Sequence, residues 1–280
     1  HDIEAVRDVL ENPHLGQFDD VLVLPNPKST QMQREIQSLF ARCKKDDLVL
    51  LYFSGHGMTD DDTKLYLTTA TTEKDLFQAT CVPASFVHDV MNRSRCKRQV
   101  VILDCCYSGA FAEGWQPRGD GVLDLKQQLG GEGRAVLTSS SAVQLSFEQE
   151  GSGIYTRYLV EGLKTGAADR NGNGRISIQE LHEYAKEKVQ TAKPGMKPEI
   201  YTYREGFEIV LTQTPVVAKN PELEYRRQVE KFVKGRRGEI SGIARRVLKK
   251  QAVQLRLSVE VATQIEAEVL APYEERQRNL

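Results

Sequence analysis

Two short segments carry side chains that could together break a bond by nucleophilic attack. Tyr52–Gly57 (YFSGHG) holds His56 between two glycines, and Asp104–Gly109 (DCCYSG) holds the adjacent Cys105 and Cys106. A thiol is a strong nucleophile only as the thiolate, and a nearby imidazole can generate it by taking the proton. We interpret the histidine and one cysteine as a candidate catalytic pair. The alternative is that the cysteines are small buried side chains and the histidine lies in a tight turn.

The strands that must position this pair are visible as apolar runs. Asp47–Phe53 and Gln99–Cys105 come directly before the two segments and are typical of strands buried on both faces. The carboxyl ends of parallel strands meet at one edge of a sheet, where α/β folds bind their ligands. Cys105 continues its strand and is expected to be packed, so Cys106 is the predicted nucleophile. The peptide N–H groups of Gly57 and Cys106 could form an oxyanion hole.

Apolar, β-rich runs alternate with amphipathic stretches, which predicts an α/β fold with a mostly parallel sheet flanked by helices. The predicted strands are Val21–Pro25, Asp47–Phe53, Lys64–Thr69, Gln99–Cys105, Arg134–Ser140 and Glu208–Gln213. The predicted helices include Thr30–Cys43, Pro83–Ser94, Gly153–Gly166 and Ser177–Gln190. The Gly-rich segment Ala112–Gly133 is predicted to be an exposed loop.

The composition changes after Thr214. Residues 215–280 contain fourteen Lys/Arg against nine Asp/Glu, no strand pattern and three helical patterns, at Glu222–Arg237, Glu239–Arg256 and Ser258–Glu275. We expect a domain at 1–214 and a small basic all-α domain at 215–280. The second domain could dock a protein partner, form a solvated cap or bind nucleic acid. Apolar positions that the helix core needs interrupt the basic residues of Arg245–Lys250, which disfavours nucleic acid.

The overall composition restricts the class of protein. The chain is 40% hydrophobic with a net charge of -1, which is typical of a soluble protein without a general attraction to nucleic acid. No apolar run approaches the roughly eighteen residues that span a membrane, and the chain does not start with a signal-peptide pattern. Five thinly spread cysteines without Cys-x-x-Cys spacing favour free thiols in the cytoplasm. Because His1 already lies in a helical pattern, we expect an upstream segment.

The two motifs together resemble those of a known family. Ser54–Gly57 and Asp104–Gly109 are similar to the paired motifs of the caspase-like cysteine peptidases, specifically the metacaspase and orthocaspase branch, over about Asp2–Thr214. The resemblance implies a cysteine endopeptidase acting on protein or peptide substrates. It assigns His56 as the general base and Cys106 as the nucleophile.

The resemblance also implies a large-subunit-like part that ends near Glu113, a loop that could be processed, and a small-subunit-like part from Arg134. The sequence lacks the Gln-Ala-Cys-x-Gly pattern of animal caspases, which argues against an aspartate preference. Cys81–Ala84 stands where metacaspases usually carry an acidic pair that binds calcium. Bacterial relatives suggest a role in defence or regulated cell death. The rival hypothesis is a catalytically silent scaffold that acts through its helical module, although the intact histidine and cysteine argue against it.

Charge predicts the substrate preference. Asp104 precedes the predicted nucleophile by two residues, near the floor of the pocket for the residue before the scissile bond, and a carboxylate there needs a cationic partner. By resemblance, Asp2 matches a second acid of that pocket. Two carboxylates favour Arg over Lys because a guanidinium can bridge both, so we predict cleavage after Arg and less well after Lys. Arg118 is then a candidate self-cleavage site. The alternative is that Asp104 only caps the neighbouring loop through backbone N–H groups.

A third motif predicts a calcium site. Asp169–Glu180 (DRNGNGRISIQE) matches the twelve-residue loop of an EF hand, with Gly174 at its sharp turn and helical patterns on both sides. The predicted ligands are Asp169, Asn171, Asn173, Arg175 through its carbonyl, Ser177 and Glu180. Only two of them carry a formal charge, so weak to moderate binding is expected. The alternative is a helix–loop–helix corner that binds no ion.

The remaining acidic and imidazole groups are assigned no function. The run Asp60–Asp62 is interpreted as a solvated loop rather than as a second metal site. His14, His88 and His182 are interpreted as residues of ordinary polar or helical surfaces.

Overall fold

The computed structural model describes residues 2–109, 124–139, 153–202, 209–214, 221–234, 240–255 and 257–278. The chain divides into two compact units, His1–Pro215 and Val216–Leu280. The first unit is α/β, and every element in the described part of the second is a helix, so the predicted fold class is confirmed.

The first unit is built on a mixed sheet with parallel strands at its centre. Its strands are β1 (Leu48–Thr59), β2 (Leu65–Leu67), β3 (Val82–Pro83), β4 (Arg98–Gly109), β5 (Arg134–Thr138) and β7 (Glu199–Thr202). They pair in the order β3-β2-β1-β4-β5-β7. The central strands β1, β4 and β5 run parallel, whereas β2, β3 and β7 add antiparallel edges. A separate two-stranded sheet joins β6 (Arg175–Ser177) to β8 (Val210–Gln213).

Helices pack on both faces of the central sheet. They are α1 (Asp2–Leu10), α2 (Ser29–Arg42), α3 (Phe77–Thr80), α4 (Ala84–Arg93), α5 (Leu125–Leu129), α6 (Ile154–Thr165) and α7 (Ile178–Ala192). Alternation along β4 divides the core, since Val101 and Leu103 pack with α2, α4 and α5, whereas Val100 and Ile102 pack with α1, α6 and α7. The central strands are apolar at nearly every position because helices cover both of their faces.

Three predictions about elements were wrong or incomplete. Val21–Pro25 forms no strand, because it pairs with no neighbour and leaves Leu22 55% exposed. The strand from Glu208–Gln213 is present as β8, but it pairs with β6 outside the main sheet. The predicted loop Ala112–Gly133 contains helix α5, which the Asp124 side chain caps by accepting from a backbone N–H and which buries two leucines in the core. Residues 110–123 lie outside the described part.

The second unit contains three helices in its described residues: α8 (Pro221–Lys234), α9 (Gly242–Gln254) and α10 (Val259–Arg278). They share an apolar core that includes Tyr225, Val229, Leu248 and Ile265. The buried Tyr225 hydroxyl donates to Glu266 at 2.5 Å, which joins α8 to α10. No described helix of either unit is both long and apolar enough to cross a membrane.

Candidate active site

Parallel pairing sets the two predicted catalytic residues side by side. β1 and β4 are in register from Leu48 opposite Arg98 onwards, and His56 is the partner of Cys106. Neighbouring strands lie about 4.8 Å apart, so the backbones at these two positions are adjacent. The position of the Cys106 side chain lies outside what the structure describes.

His56 is exposed, and it lies within a strand rather than after one. β1 runs on to Thr59 because both β2 and β4 pair with its last residues. The His56 carbonyl accepts from both the N–H and the hydroxyl of Thr68, each at 3.0 Å, which fixes the backbone at the histidine. A Cβ at Gly55 would lie 2.9 Å from the tip of the Phe53 ring, so a larger residue there would have to displace this ring. Gly57 is buried in the same strand, and its role in an oxyanion hole stays a prediction.

The other cysteines behave as structural residues. Cys105 is 1% exposed and packs in the core with Leu103, as expected of a residue that continues the strand. Cys43, Cys81, Cys96 and Cys105 are all free thiols. Burial raises the pKa of the first three of these thiols, which disfavours the reactive thiolate.

Asp104 is buried and only half satisfied. It is 1% exposed, and its Oδ2 accepts from the Thr156 N–H at 3.2 Å and from the Thr156 hydroxyl. Its Oδ1 has no hydrogen-bond partner within the described residues. Burial raises the pKa of the Asp104 carboxyl, and the Thr156 hydroxyl lowers it. The nearby Ser139 hydroxyl also lowers it, although it makes no hydrogen bond of normal geometry to Oδ1.

Asp2 lies near the same place. Its carboxylate occupies the space beside Gly153, where a Cβ would lie 2.9 Å from Asp2 Oδ2. Its negative charge also raises the pKa of Asp104. Gly153 is the N-cap of α6 with a φ of 89°, and Thr156 is the third residue of that helix. The structure therefore brings Asp2 and Asp104 together at the N-terminus of α6.

Two hydroxyl groups near Asp104 were not predicted from the sequence. The Tyr52 hydroxyl is 2.7 Å from the Thr156 hydroxyl, and burial raises the pKa of Tyr52. Thr156 lies 52 residues from Asp104 in the chain, and no local pattern marks it as a partner.

The first residue of the predicted calcium loop is held by the loop itself. Asp169 is 4% exposed, and its Oδ1 accepts from the N–H groups of Gly172 at 2.8 Å and Asn173 at 3.1 Å. Its Oδ2 accepts from the Gly174 N–H and from the Thr214 hydroxyl, both at 3.0 Å. The carboxylate therefore organises the turn and ties it to the end of β8.

The other side-chain oxygens of the loop make similar bonds. Asn171 and Asn173 accept from the backbone two residues further on, at 2.9 and 2.8 Å. Glu180 Oε2 accepts from the N–H and the hydroxyl of Ser177 at 3.0 and 2.8 Å. The Ser177 hydroxyl oxygen in turn accepts from the Glu180 N–H at 3.3 Å, which completes a capping box at the start of α7. Glu180 Oε1 accepts from the Asn171 N–H at 3.3 Å. The sixth predicted ligand, the Arg175 carbonyl, lies at the start of β6.

The donor set of this loop fits a calcium ion. An open cleft of about 760 Å³ is lined by five of the predicted ligands, namely Asn171, Asn173, Arg175, Ser177 and Glu180. Gly174 has a φ of 82°, which suits the sharp turn at the sixth position of an EF-hand loop. No group of three or more His, Cys, Asp or Glu in the described ranges could hold a metal. To bind calcium, the loop would therefore need its amide, hydroxyl and carbonyl oxygens as ligands in addition to its two carboxylates.

The interpretation of His182 as a surface residue was wrong. His182 is 1% exposed, and its Nδ1 lies 2.9 Å from the hydroxyl of the fully buried Tyr155. Its Nε2 is buried without a partner among the described residues. Burial lowers the pKa of His182 to about 3, so the ring is neutral at physiological pH.

The interpretation of Asp60 as part of a solvated loop was also wrong, whereas Asp62 is exposed. Asp60 is 9% exposed, and its Oδ1 accepts from the N–H groups of Asp62 and Lys64. Its Oδ2 accepts from the hydroxyl of Tyr66 at 3.0 Å and from the amide of Gln78. Asp60 therefore shapes the turn between β1 and β2, immediately after the strand that carries the histidine.

The family assignment agrees with this geometry. The model of the caspase domain matches residues 1–224, which is most of the 280-residue chain. The chain therefore belongs to the caspase family of cysteine peptidases, whose substrates are proteins. No curated protein matches the chain.

Proposed function

We propose that the chain is a cysteine endopeptidase of the metacaspase or orthocaspase branch that uses a His56–Cys106 dyad. The observation that supports the dyad is the register of β1 and β4, which makes these two residues direct neighbours across a parallel pair. His56 is exposed there, so it is accessible to a substrate.

The proposed reaction passes through an acyl-enzyme. The Cys106 thiolate attacks the scissile carbonyl carbon, and the peptide N–H groups of Gly57 and Cys106 stabilise the oxyanion. The C–N bond then breaks while His56, which holds the proton from the thiol, donates it to the leaving amine. His56 next takes a proton from water, which attacks the thioester and releases the carboxylate product and the thiol.

Substitution of the adjacent cysteines tests the dyad. Cys106→Ala should abolish peptide hydrolysis, whereas the neighbouring Cys105→Ala should keep most of it because Cys105 is buried in the core. His56→Ala should lower kcat by roughly three orders of magnitude or more, as loss of a general base does. The reverse result for the two cysteines would contradict the assignment.

The same test separates catalysis from the rival function, a silent scaffold acting through the helical unit. A peptide that ends in an arginine carrying a thiol-directed electrophile should label Cys106 and leave Cys106→Ala unlabelled. Absence of labelling in the folded native chain would favour the scaffold.

We infer that the enzyme cleaves after Arg and less well after Lys. Asp104 supports this because a buried carboxylate with an unpaired oxygen needs a donor, and a guanidinium from the substrate would supply it. Asp2 is the second negative charge near the same site. A peptide series that differs only in the residue before the scissile bond should rank Arg above Lys and far above Asp. Asp104→Asn should abolish this selectivity, and a preference for Asp would refute the inference.

Calcium would bind in the Asp169–Glu180 loop with weak to moderate affinity, and there it would supply a positive charge that holds the loop oxygens together. The loop connects α6 to α7, so binding should order this helix pair. Because Glu180 already accepts from Ser177 and Asn171, the ion competes with these hydrogen bonds for the carboxylate.

Calorimetry on the whole chain tests the calcium site. One site is expected, and Glu180→Gln should weaken binding at least about tenfold, since it removes a charged ligand. Glu183→Gln is the matched control, because Glu183 lines the same cleft but is not a predicted ligand and pairs with Arg170, which is also not a predicted ligand. Equal affinities in the two variants would place the site elsewhere.

The remaining proposals concern regulation. We propose that the basic helical unit docks a protein partner. We also propose that the enzyme works in the cytoplasm, in defence or regulated cell death.

We propose further that the chain cuts itself after Arg118. This arginine lies outside the described residues. Mass spectrometry of the incubated chain should find a cut after Arg118 that is absent from Cys106→Ala. A cut that persists in this variant would contradict self-processing.

A further inference from the structure

Asp104 is held by a chain of hydroxyl groups that begins on the strand bearing the histidine. Tyr52 lies in β1, Thr156 in the first turn of α6, and Asp104 in β4. The hydroxyls of Tyr52 and Thr156 are 2.7 Å apart, and the Thr156 hydroxyl bonds to Asp104 Oδ2. Three elements that are distant in sequence therefore converge on one carboxylate.

The direction of these hydrogen bonds follows from proton counting. An ionised carboxylate only accepts, so the single hydroxyl proton of Thr156 must go to Asp104. The Thr156 oxygen is then an acceptor, and the Tyr52 hydroxyl must donate to it. Ionised Asp104 thus fixes the orientation of both hydroxyls, and loss of the Tyr52 proton donor would weaken the bond that Thr156 makes.

The helix strengthens this arrangement. Gly153, the N-cap of α6, has no side chain with which to cap the helix, and the Thr156 N–H donates to Asp104 Oδ2 at 3.2 Å instead. A negative charge is favoured at a helix N-terminus. Two donors from one residue thus occupy Oδ2 and restrict rotation of the carboxylate. Oδ1 is left without a partner among the residues that the structure describes.

We propose that Thr156 and Tyr52 are positioning residues that set the substrate specificity by holding Asp104 with Oδ1 available to the cationic side chain of the substrate. This inference rests on the proposed preference for Arg. Neither residue touches the substrate. Thr156 occupies Oδ2 directly, and Tyr52 acts through Thr156.

Conservative substitutions test the proposal in the whole chain, with peptide substrates that carry Arg or Lys before the scissile bond. Thr156→Val keeps the side-chain shape but loses the donor, and it should raise KM for the Arg peptide by about tenfold or more, as expected for a lost hydrogen bond to a charged group. The change in kcat should be smaller, and the Arg-over-Lys preference should fall. Thr156→Ser keeps the hydroxyl and should restore KM to within about threefold of the native value.

Tyr52→Phe removes one oxygen atom and keeps the aromatic ring, so it remains informative if Thr156→Val fails to fold. It should raise KM for the Arg peptide by about threefold to tenfold, because it weakens the chain of bonds without removing the last one. A native KM and native selectivity in Tyr52→Phe, or an equal loss in Thr156→Val and Thr156→Ser, would overturn the proposal.

Asp104→Asn separates this inference from the proposed function. If Asp104→Asn leaves the Arg preference intact, the specificity assigned to Asp104 is wrong, and the positioning role falls with it. If Asp104→Asn abolishes the preference while Tyr52→Phe and Thr156→Val behave like the native enzyme, the specificity stands and only the positioning role is refuted.

Discussion

The buried imidazole of His182 should make the first unit sensitive to acid. Burial lowers the pKa of His182 from 6.5 to about 3, so the unfolded chain binds the proton more readily than the folded one. The stability that the neutral His182 ring contributes is therefore complete above pH 6.5 and is lost as the pH falls towards 3. At about 1.4 kcal/mol per pKa unit, the loss reaches about 5 kcal/mol below pH 3 and about 2 kcal/mol at pH 5. A loss of this size is a large part of the stability of an ordinary domain.

Urea unfolding between pH 7 and pH 5 measures this effect. His182→Gln cannot take up a proton in this range, so its free energy of unfolding should vary less with pH than that of the native chain, by about 2 kcal/mol over the interval. His14→Gln is the matched control, since His14 is exposed, and its pH dependence should follow the native one. Parallel pH profiles for the native chain and His182→Gln would refute a buried neutral histidine.

Two further predictions concern stability. Asp104→Asn should be at least as stable as the native chain at pH 7, and it should lose Arg cleavage. Burial raises the pKa of Asp104. The carboxyl therefore contributes favourably to the free energy of unfolding only at low pH, and this contribution is lost as the pH rises and the carboxyl ionises. A loss of more than about 1 kcal/mol in urea unfolding would show instead that the charge stabilises α6. Gly133→Ala should lower the free energy of unfolding by at least about 1 kcal/mol, because Gly133 has a φ of 69° and a Cβ there would lie 2.1 Å from the Lys97 carbonyl oxygen. Native-like unfolding of Gly133→Ala would contradict this close approach.

The central strands were predictable because burial on both faces leaves a strong local signal. Apart from Asp47, the runs at Asp47–Phe53 and Gln99–Cys105 lie inside β1 and β4, which form a parallel pair. The ends of these strands were not predictable, because β1 continues through Ser54–Gly57 by pairing with β4, and β2 pairs with its last three residues. That pairing depends on the fold of the whole unit rather than on the local sequence.

His182 shows a signal that was present and overlooked. Ile178, Leu181, Ala185 and Val189 are fully buried on one face of α7. His182 lies four residues after Ile178 and three before Ala185, so helical periodicity places it on the same face. The polar character of histidine suggested a surface position, but the face of the helix decided its burial.

The N-terminus of α6 contacts both the buried histidine of α7 and the buried carboxylate of β4. The Tyr155 hydroxyl lies beside His182 of α7, the helix that follows the predicted calcium loop, and the adjacent Thr156 bonds to Asp104. These two neighbours thus connect the helix behind the loop to the carboxylate proposed to select the substrate. Because a well-packed core transmits small displacements, a change in α7 would alter the donors that hold Asp104. Calcium should therefore affect KM for Arg substrates more than kcat, and an effect on kcat alone would mean that the ion acts by another route.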